Sequence, residues 1–87
     1  MEMSSFSFRL LSADQLIYKI EAHAVTLPSV EGQVTILKDH MSMVSALNAG
    51  KVCVQEHKNG ALKDFDIRSG FFEMTNNECI VYVNVDR

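Results

Sequence analysis

Apolar and polar residues alternate along most of this chain, with the period of two that a half-buried strand requires. Phe6, Phe8 and Leu10 share one parity, and Ser7 and Arg9 take the other. Leu16, Tyr18, Ile20, Ala22 and Ala24 alternate with Lys19, Glu21 and His23, after which the apolar parity shifts to Val25 and Leu27. Such a shift marks a bulge or a strand crossing between sheets. Pro28 has no amide hydrogen for a ladder, so the run is expected to end there.

Val34 and Ile36 predict a short strand after Gly32, and Met43, Val44, Ala46 and Leu47 another. Asn48-Ala49-Gly50 reads as a turn, followed by a strand over Val52 to Glu56. Asn59-Gly60 has the composition of a type I′ hairpin turn, which needs positive φ at both central residues. The return strand carries Phe65 and Ile67 inward, with Asp64, Asp66 and Arg68 outward. Ser69-Gly70 reads as a break, Phe71 to Met74 as a strand, Asn76-Asn77 as a turn and Cys79 to Val85 as the closing strand. The expected architecture is all-β, a single-domain sandwich or flattened barrel over residues 1–87 with about eight to ten short strands. The last strand is apolar on both parities, Ile80 and Tyr82 against Val81, Val83 and Val85. It is therefore either central in the sandwich or covered on one face by something else.

Composition narrows the function. The chain has 87 residues, 47% of them hydrophobic, and a net charge of −3. That places it among single globular domains and away from nucleic-acid binders with a basic footprint. No apolar run reaches the ~18 residues of a membrane-spanning helix, and the first residues lack the pattern of a secretory signal, so a cytosolic or peripheral location without membrane insertion is expected. Cys53 and Cys79 sit in apolar runs and are expected to be buried, reduced thiols. Met41 and Met43, at alternating positions, are expected to fill the core.

Chemistry-bearing motifs are scarce. No nucleophile elbow, phosphate loop or His-Glu-x-x-His occurs, and two Cys with three scattered His make no metal site. Asp64 and Asp66 share one strand face, where a solvated pair beside Arg68 is the expected state. By composition alone His23, His40 and His57 need no role beyond a solvated or locally hydrogen-bonded imidazole.

Order and spacing carry more. Leu10-Leu11-Ser12-Ala13-Asp14-Gln15, then Ser29-Val30-Glu31-Gly32-Gln33, then His40, then Ala49-Gly50 resemble the epsilon subunit of F-type ATP synthases (delta in organelles), and the likeness runs on through Ser69-Gly70 to about Val85. The chain departs from the family pattern in its His loop, with Lys38-Asp39 where Pro-Gly is favoured and Ser42 where Pro is. Thr35 replaces a common Gly, and Phe71 replaces the second Gly of Ser-Gly-Gly. Family members usually continue with a helical pair that carries an inhibitory extension and, in some, a nucleotide site. This sequence stops at Arg87, so neither self-inhibition nor ATP binding is expected of it.

The resemblance implies a non-catalytic rotor part of the central stalk, coupling the membrane proton ring to the catalytic head through the gamma subunit. It implies that Glu31, Gly32, Gln33 and His40 form the edge facing the ring, and that Tyr82 and Val83 lie toward gamma. It places the chain as a peripheral protein on the cytoplasmic face of a bacterial inner membrane, or on the matrix side in an organelle, with no cofactor and no metal. Two rivals remain: a free-standing β-sandwich module for a peptide or carbohydrate, which needs a concave aromatic-lined site, and a small hydrolase, which needs a nucleophile and base that the sequence does not assemble.

Overall fold

The computed structural model describes residues 5–13 and 15–84. They form β1 (Phe6–Ser12), β2 (Gln15–Ala22), β3 (Ala24–Ser29), β4 (Gly32–Ile36), β5 (Met43–Leu47), β6 (Gly50–Gln55), β7 (Leu62–Ile67), β8 (Ser69–Thr75) and β9 (Glu78–Asn84), with no helix among the described residues. The strands make one continuous curled path, β2-β1-β9-β8-β5-β3-β6-β7, with β4 added on β3. All pairings are antiparallel except β1 with β9. The path folds into two layers because β3 and β5 touch only at their tips, through Ser29 opposite Leu47. There the Val30 N–H donates to the Ala46 carbonyl (3.0 Å) and the Asn48 N–H to the Pro28 carbonyl (2.8 Å).

The alternation predicted from sequence builds the core between the layers. Phe6, Phe8 and Leu10 of β1, Val25 and Leu27 of β3, Ile36, Val52, Val54, Phe72, Met74, Cys79 and Val81 are all buried. Each such large side chain removed from water contributes roughly 1.5–3 kcal/mol. The parity shift between Ala22 and Val25 is a crossing: the chain leaves β2 at one extreme of the path, bends at His23 and enters β3 in the other layer. The His23 N–H donates to the Gln55 carbonyl (2.7 Å), tying that corner to β6.

Strand connections alternate between two ends. At one end lie Ala13 after β1, the Val30-Glu31 turn between β3 and β4, Asn48-Ala49 between β5 and β6, and Arg68 between β7 and β8. At the other lie His23, the 37–42 loop, the 56–61 loop and Asn76-Asn77.

Several expectations are corrected. Pro28 does not end its strand; β3 continues to Ser29. Its carbonyl meets Asn48 at the corner where β3 passes from β6 to β5, so the missing donor costs no regular ladder bond there. The type I′ geometry is not at Asn59-Gly60. Asn59 has φ 63° but Gly60 is not in the positive region, and the Gly60 N–H closes a turn onto the His57 carbonyl inside a longer loop. The two-residue turn is instead Asn76-Asn77, with φ of 49° and 61°, between strands in tight register. Ser69-Gly70 is the start of β8 and no break.

Leu16 faces out. A bulge at Leu10/Leu11 sets Tyr18 opposite inward Leu10 and Leu16 opposite outward Leu11. Cys53 is half-buried on an outer face, since Val52 and Val54 take the inward parity, whereas Cys79 is buried. Met41 is a loop residue 74% exposed, not core. Val85 lies outside the described residues.

Candidate docking surfaces

In-register pairing lines up side chains across strands. On the outer face of the β2-β1-β9-β8-β5 layer, Leu16 faces Leu11, Leu11 faces Tyr82, Tyr82 faces Phe71 and Phe71 faces Ala46. Leu16 and Phe71 are 49% and 48% exposed, and Phe71 stacks on Tyr82 with centroids 4.8 Å apart. The next row toward the other end is mostly charged: Lys19, Arg9, Ile80, Glu73 and then exposed Val44. The closing strand β9 thus satisfies both readings of its double apolar parity. It is central, between β1 and β8, and its outer side joins the exposed apolar row.

Of the two residues expected toward gamma, Tyr82 stands on this row. Val83 does not; with a period of two it points inward and is 4% exposed. Phe71, Leu11 and Ala46 complete the row. No single strand reveals them, because the row exists only in the register between strands. The sole local signal is Phe71-Phe72, two adjacent aromatics of which one must face out.

The candidate ring edge divides. Glu31, Gly32 and Gln33 come together at the β3–β4 turn, on the same end of the sandwich as the apolar row. Gly32 has φ 124°, a region L side chains rarely adopt, while a Cβ there would meet nothing within 4 Å; its role is conformational. His40 lies beyond the far end of β4. Five residues of strand at ~3.3 Å each separate it from the turn. There His40 Nδ1 bonds the Met41 carbonyl (2.9 Å), and its loop is tied to the Asn76-Asn77 turn. The Asp39 N–H donates to Asn77 Oδ1 (2.6 Å) and Asn77 Nδ2 to Asp39 Oδ1 (2.9 Å). Asp39, standing where the family favours Gly, holds φ 66° with that support.

The opposite outer face is polar. Thr35, Thr26, Cys53 and Asp64 form its row. The two threonine hydroxyls are 3.1 Å apart, the Cys53 thiol donates to Asp64 (2.8 Å), and Lys51 donates to Asp66 (2.8 Å). The Asp64 carboxylate and partial burial push the Cys53 thiol pKa up, and Asp66 raises that of Lys51. Burial pushes the Cys79 thiol up to about 12. Among the described residues no three His, Cys, Asp or Glu side chains gather as a metal site.

A two-layer β-sandwich with one apolar outer face and a polar turn beside it presents surfaces and no catalytic cluster among the described residues. The model of the family described as ATP synthase, Delta/Epsilon chain, beta-sandwich domain matches residues 5–85, and the chain belongs to that family. The ATP synthase epsilon chain of Gloeothece citriformis (strain PCC 7424) is 35% identical over 80 residues, covering 92% of this chain and 56% of its own length. That of Synechococcus sp. (strain CC9902) is 36% identical over the same share of this chain and 57% of its own. The chain thus spans little more than half the length of the curated relatives it matches. A chain in the cryo-EM structure of the Euglena gracilis mitochondrial ATP synthase (OSCP/F1/c-ring, rotational state 1) shares the fold with a TM-score of 0.83 at 21% identity, over 91% of this chain and 50% of that one. One in the Tetrahymena thermophila mitochondrial ATP synthase central stalk and c-ring structure gives 0.73 at 18% identity, over 90% and 62%.

Proposed function

We propose that this chain is a non-catalytic rotor subunit of an F-type ATP synthase. It docks the Leu16-Leu11-Tyr82-Phe71-Ala46 row on the gamma subunit and turns the Val30 to Gln33 end toward the polar loops of the membrane ring. In that position it helps carry proton-driven rotation to the catalytic head. The observation that carries this reading is the apolar row across one outer face, next to a polar turn at the same end. A coupling wedge needs both surfaces on one stiff body, and a locked β-register supplies the stiffness. The epsilon-chain relatives and the two neighbours from ATP synthase assemblies support it.

Glu31 and Gln33 offer a carboxylate and an amide to ring loops, and Gly32 permits the turn that presents them. His40 is left out of that edge because it sits beyond the opposite end of β4. Val83 is left out of the gamma surface because it is core. The chain works at the membrane-bound complex, on the cytoplasmic face of a bacterial inner membrane or the matrix side in an organelle.

The test is assembly. Expressed in its native cell, the chain is expected to copurify from membranes with gamma and ring subunits, and Gln33→Cys to form a disulfide with a cysteine in a ring loop. Copurification of neither partner returns the chain to a free-standing interaction module.

A further inference from the structure

Two buried serines stand out because hydroxyls rarely sit in such a core. Ser29 of β3 and Ser45 of β5 come from opposite layers and meet with their oxygens 2.8 Å apart. The Glu31 N–H donates to Ser29 Oγ (3.1 Å), and the Ser45 hydroxyl donates to the Ala46 carbonyl (3.1 Å). Each hydroxyl has one proton. Ser45 spends its own on Ala46, so the proton between the two oxygens is that of Ser29. The chain of donors runs from the Glu31 N–H through Ser29 and Ser45 to the Ala46 carbonyl. The Val30 N–H reaches the same carbonyl directly, at 3.0 Å. Both central amides of the β3–β4 turn therefore end on one oxygen of β5. Ala46 stands opposite Phe71, which stacks on Tyr82.

We infer that the Ser29–Ser45 hydroxyl pair is a positioning device. It fixes the orientation of the Val30-Glu31 turn relative to the apolar face, so that the two docking surfaces move as one. Without the relay the corner keeps the Val30 bond to Ala46, the Asn48 bond to Pro28 and the Ser29 to Leu47 pair, but the Glu31 half of the turn loses its tie to β5. The pair touches no partner; it acts through the Glu31 backbone. This rests on the stalk reading only for its consequence in the assembled complex, not for its geometry.

Hydrogen exchange on the purified chain tests it. Ser29→Ala is expected to speed exchange of the Glu31 amide about tenfold while the amides of Val54 and Val81 keep their rates. Ser45→Ala is expected to give a smaller rise, about threefold, and Ser29→Thr, which keeps the acceptor, to restore protection. A merely structural role moves all these amides together through global opening, and that result overturns the proposal, as does an unchanged Glu31 rate in Ser29→Ala. The double variant Ser29→Ala/Ser45→Ala leaves no stranded hydroxyl and gives the same readout if a single variant fails to fold. In the assembled complex, Ser29→Ala is expected to lower the yield of the Gln33→Cys crosslink to the ring while a Tyr82→Cys crosslink to gamma is kept. If the parent Gln33→Cys protein gives no crosslink, the ring assignment falls, and the exchange rates still decide the relay.

Discussion

Across one outer face the cross-strand row reads Leu16, Leu11, Tyr82, Phe71, Ala46; across the other it reads Thr35, Thr26, Cys53, Asp64. Both rows obey the same rule, in which outward side chains of paired strands stand side by side. They differ in what satisfies them. On the polar face the side chains bond to one another, threonine to threonine, thiol to carboxylate, lysine to carboxylate. Its exposed Leu62 faces Gln55 and joins no apolar neighbour across the strand. On the apolar face the residues touch each other and still leave Leu16 and Phe71 half open to water. A solvated face can be left as it is. A contiguous apolar strip marks a surface that something covers.

The most damaging way to break the contrast is to remove the frame beneath the apolar row. A Cβ at Gly70 would lie 2.1 Å from the Tyr82 carbonyl oxygen and 3.0 Å from Val83 Cα, so backbone and not a movable side chain stands in the way. Gly70→Ala is expected to cost about 3 kcal/mol or more and to lower the melting midpoint by more than about 10 °C. Thermal unfolding followed by circular dichroism measures it, and a loss below about 1 kcal/mol shows that β8 and β9 can part there without consequence. Next comes the row itself. Phe71→Asp is expected to keep the fold, since the side chain points outward, losing only the ring stack of roughly 1 kcal/mol. Its binding to gamma is expected to weaken by about 2–4 kcal/mol, as for a central interface aromatic. Copurified gamma at wild-type level from this variant moves the docking face elsewhere.

Much of this arrangement was readable before the strands were paired. Alternation identified β1, β3 and the return strand β7 with their inward residues, because the parity of one strand is a local property. The turn before Gly32 follows instead from the resemblance, and the φ of 124° found there suits a residue free of Cβ. What needed the register stayed hidden. Phe71, Leu11 and Ala46 belong to three strands, and nothing local says that they share a row. Leu16 faces out because Ile17 is skipped in the pairing of its own strand with β1, and the resemblance that groups His40 with Glu31 does not show that β4 runs between them. Type I′ geometry went to Asn76-Asn77 without a glycine because the ladder of β8 and β9 is in tight register up to Thr75 and Glu78, whereas β6 and β7 end their ladder at Gln55 and Leu62.

The two thiols report on the two environments. Cys79, in the core of the layer that carries the apolar row, holds its proton up to about 12 because burial disfavours the thiolate; its ordinary value is 9.0. The unfolded chain gives up that proton first. Stability from this group is therefore complete below about pH 9 and declines as pH rises toward about 12, by roughly 1 kcal/mol per pH unit. Urea unfolding at successive pH values, compared with Cys79→Ala, isolates the slope, since the other groups titrate in both proteins. Parallel curves show that the thiol is not held in the core. Cys53, on the polar face, is also shifted upward, first by its bond to Asp64. Asp64→Asn is expected to speed its alkylation at fixed pH several-fold, because the neighbouring negative charge is gone.

The smallest effects are expected where the polar face is altered. Lys51 and Asp66 pair at 2.8 Å but both are exposed, so water and salt screen them. Side-chain entropy offsets much of the attraction, and Lys51→Ala, Asp66→Asn or both are expected to change stability by less than about 0.5 kcal/mol. The decisive quantity is assembly. If the polar face takes no part in docking, copurified gamma and ring subunits stay at wild-type levels in these variants, at low and at high salt. A loss of assembly as large as that of Phe71→Asp makes the polar face a docking surface too. The contrast between a self-satisfied face and an unsatisfied one then fails as a guide to which side of the sandwich meets its partner.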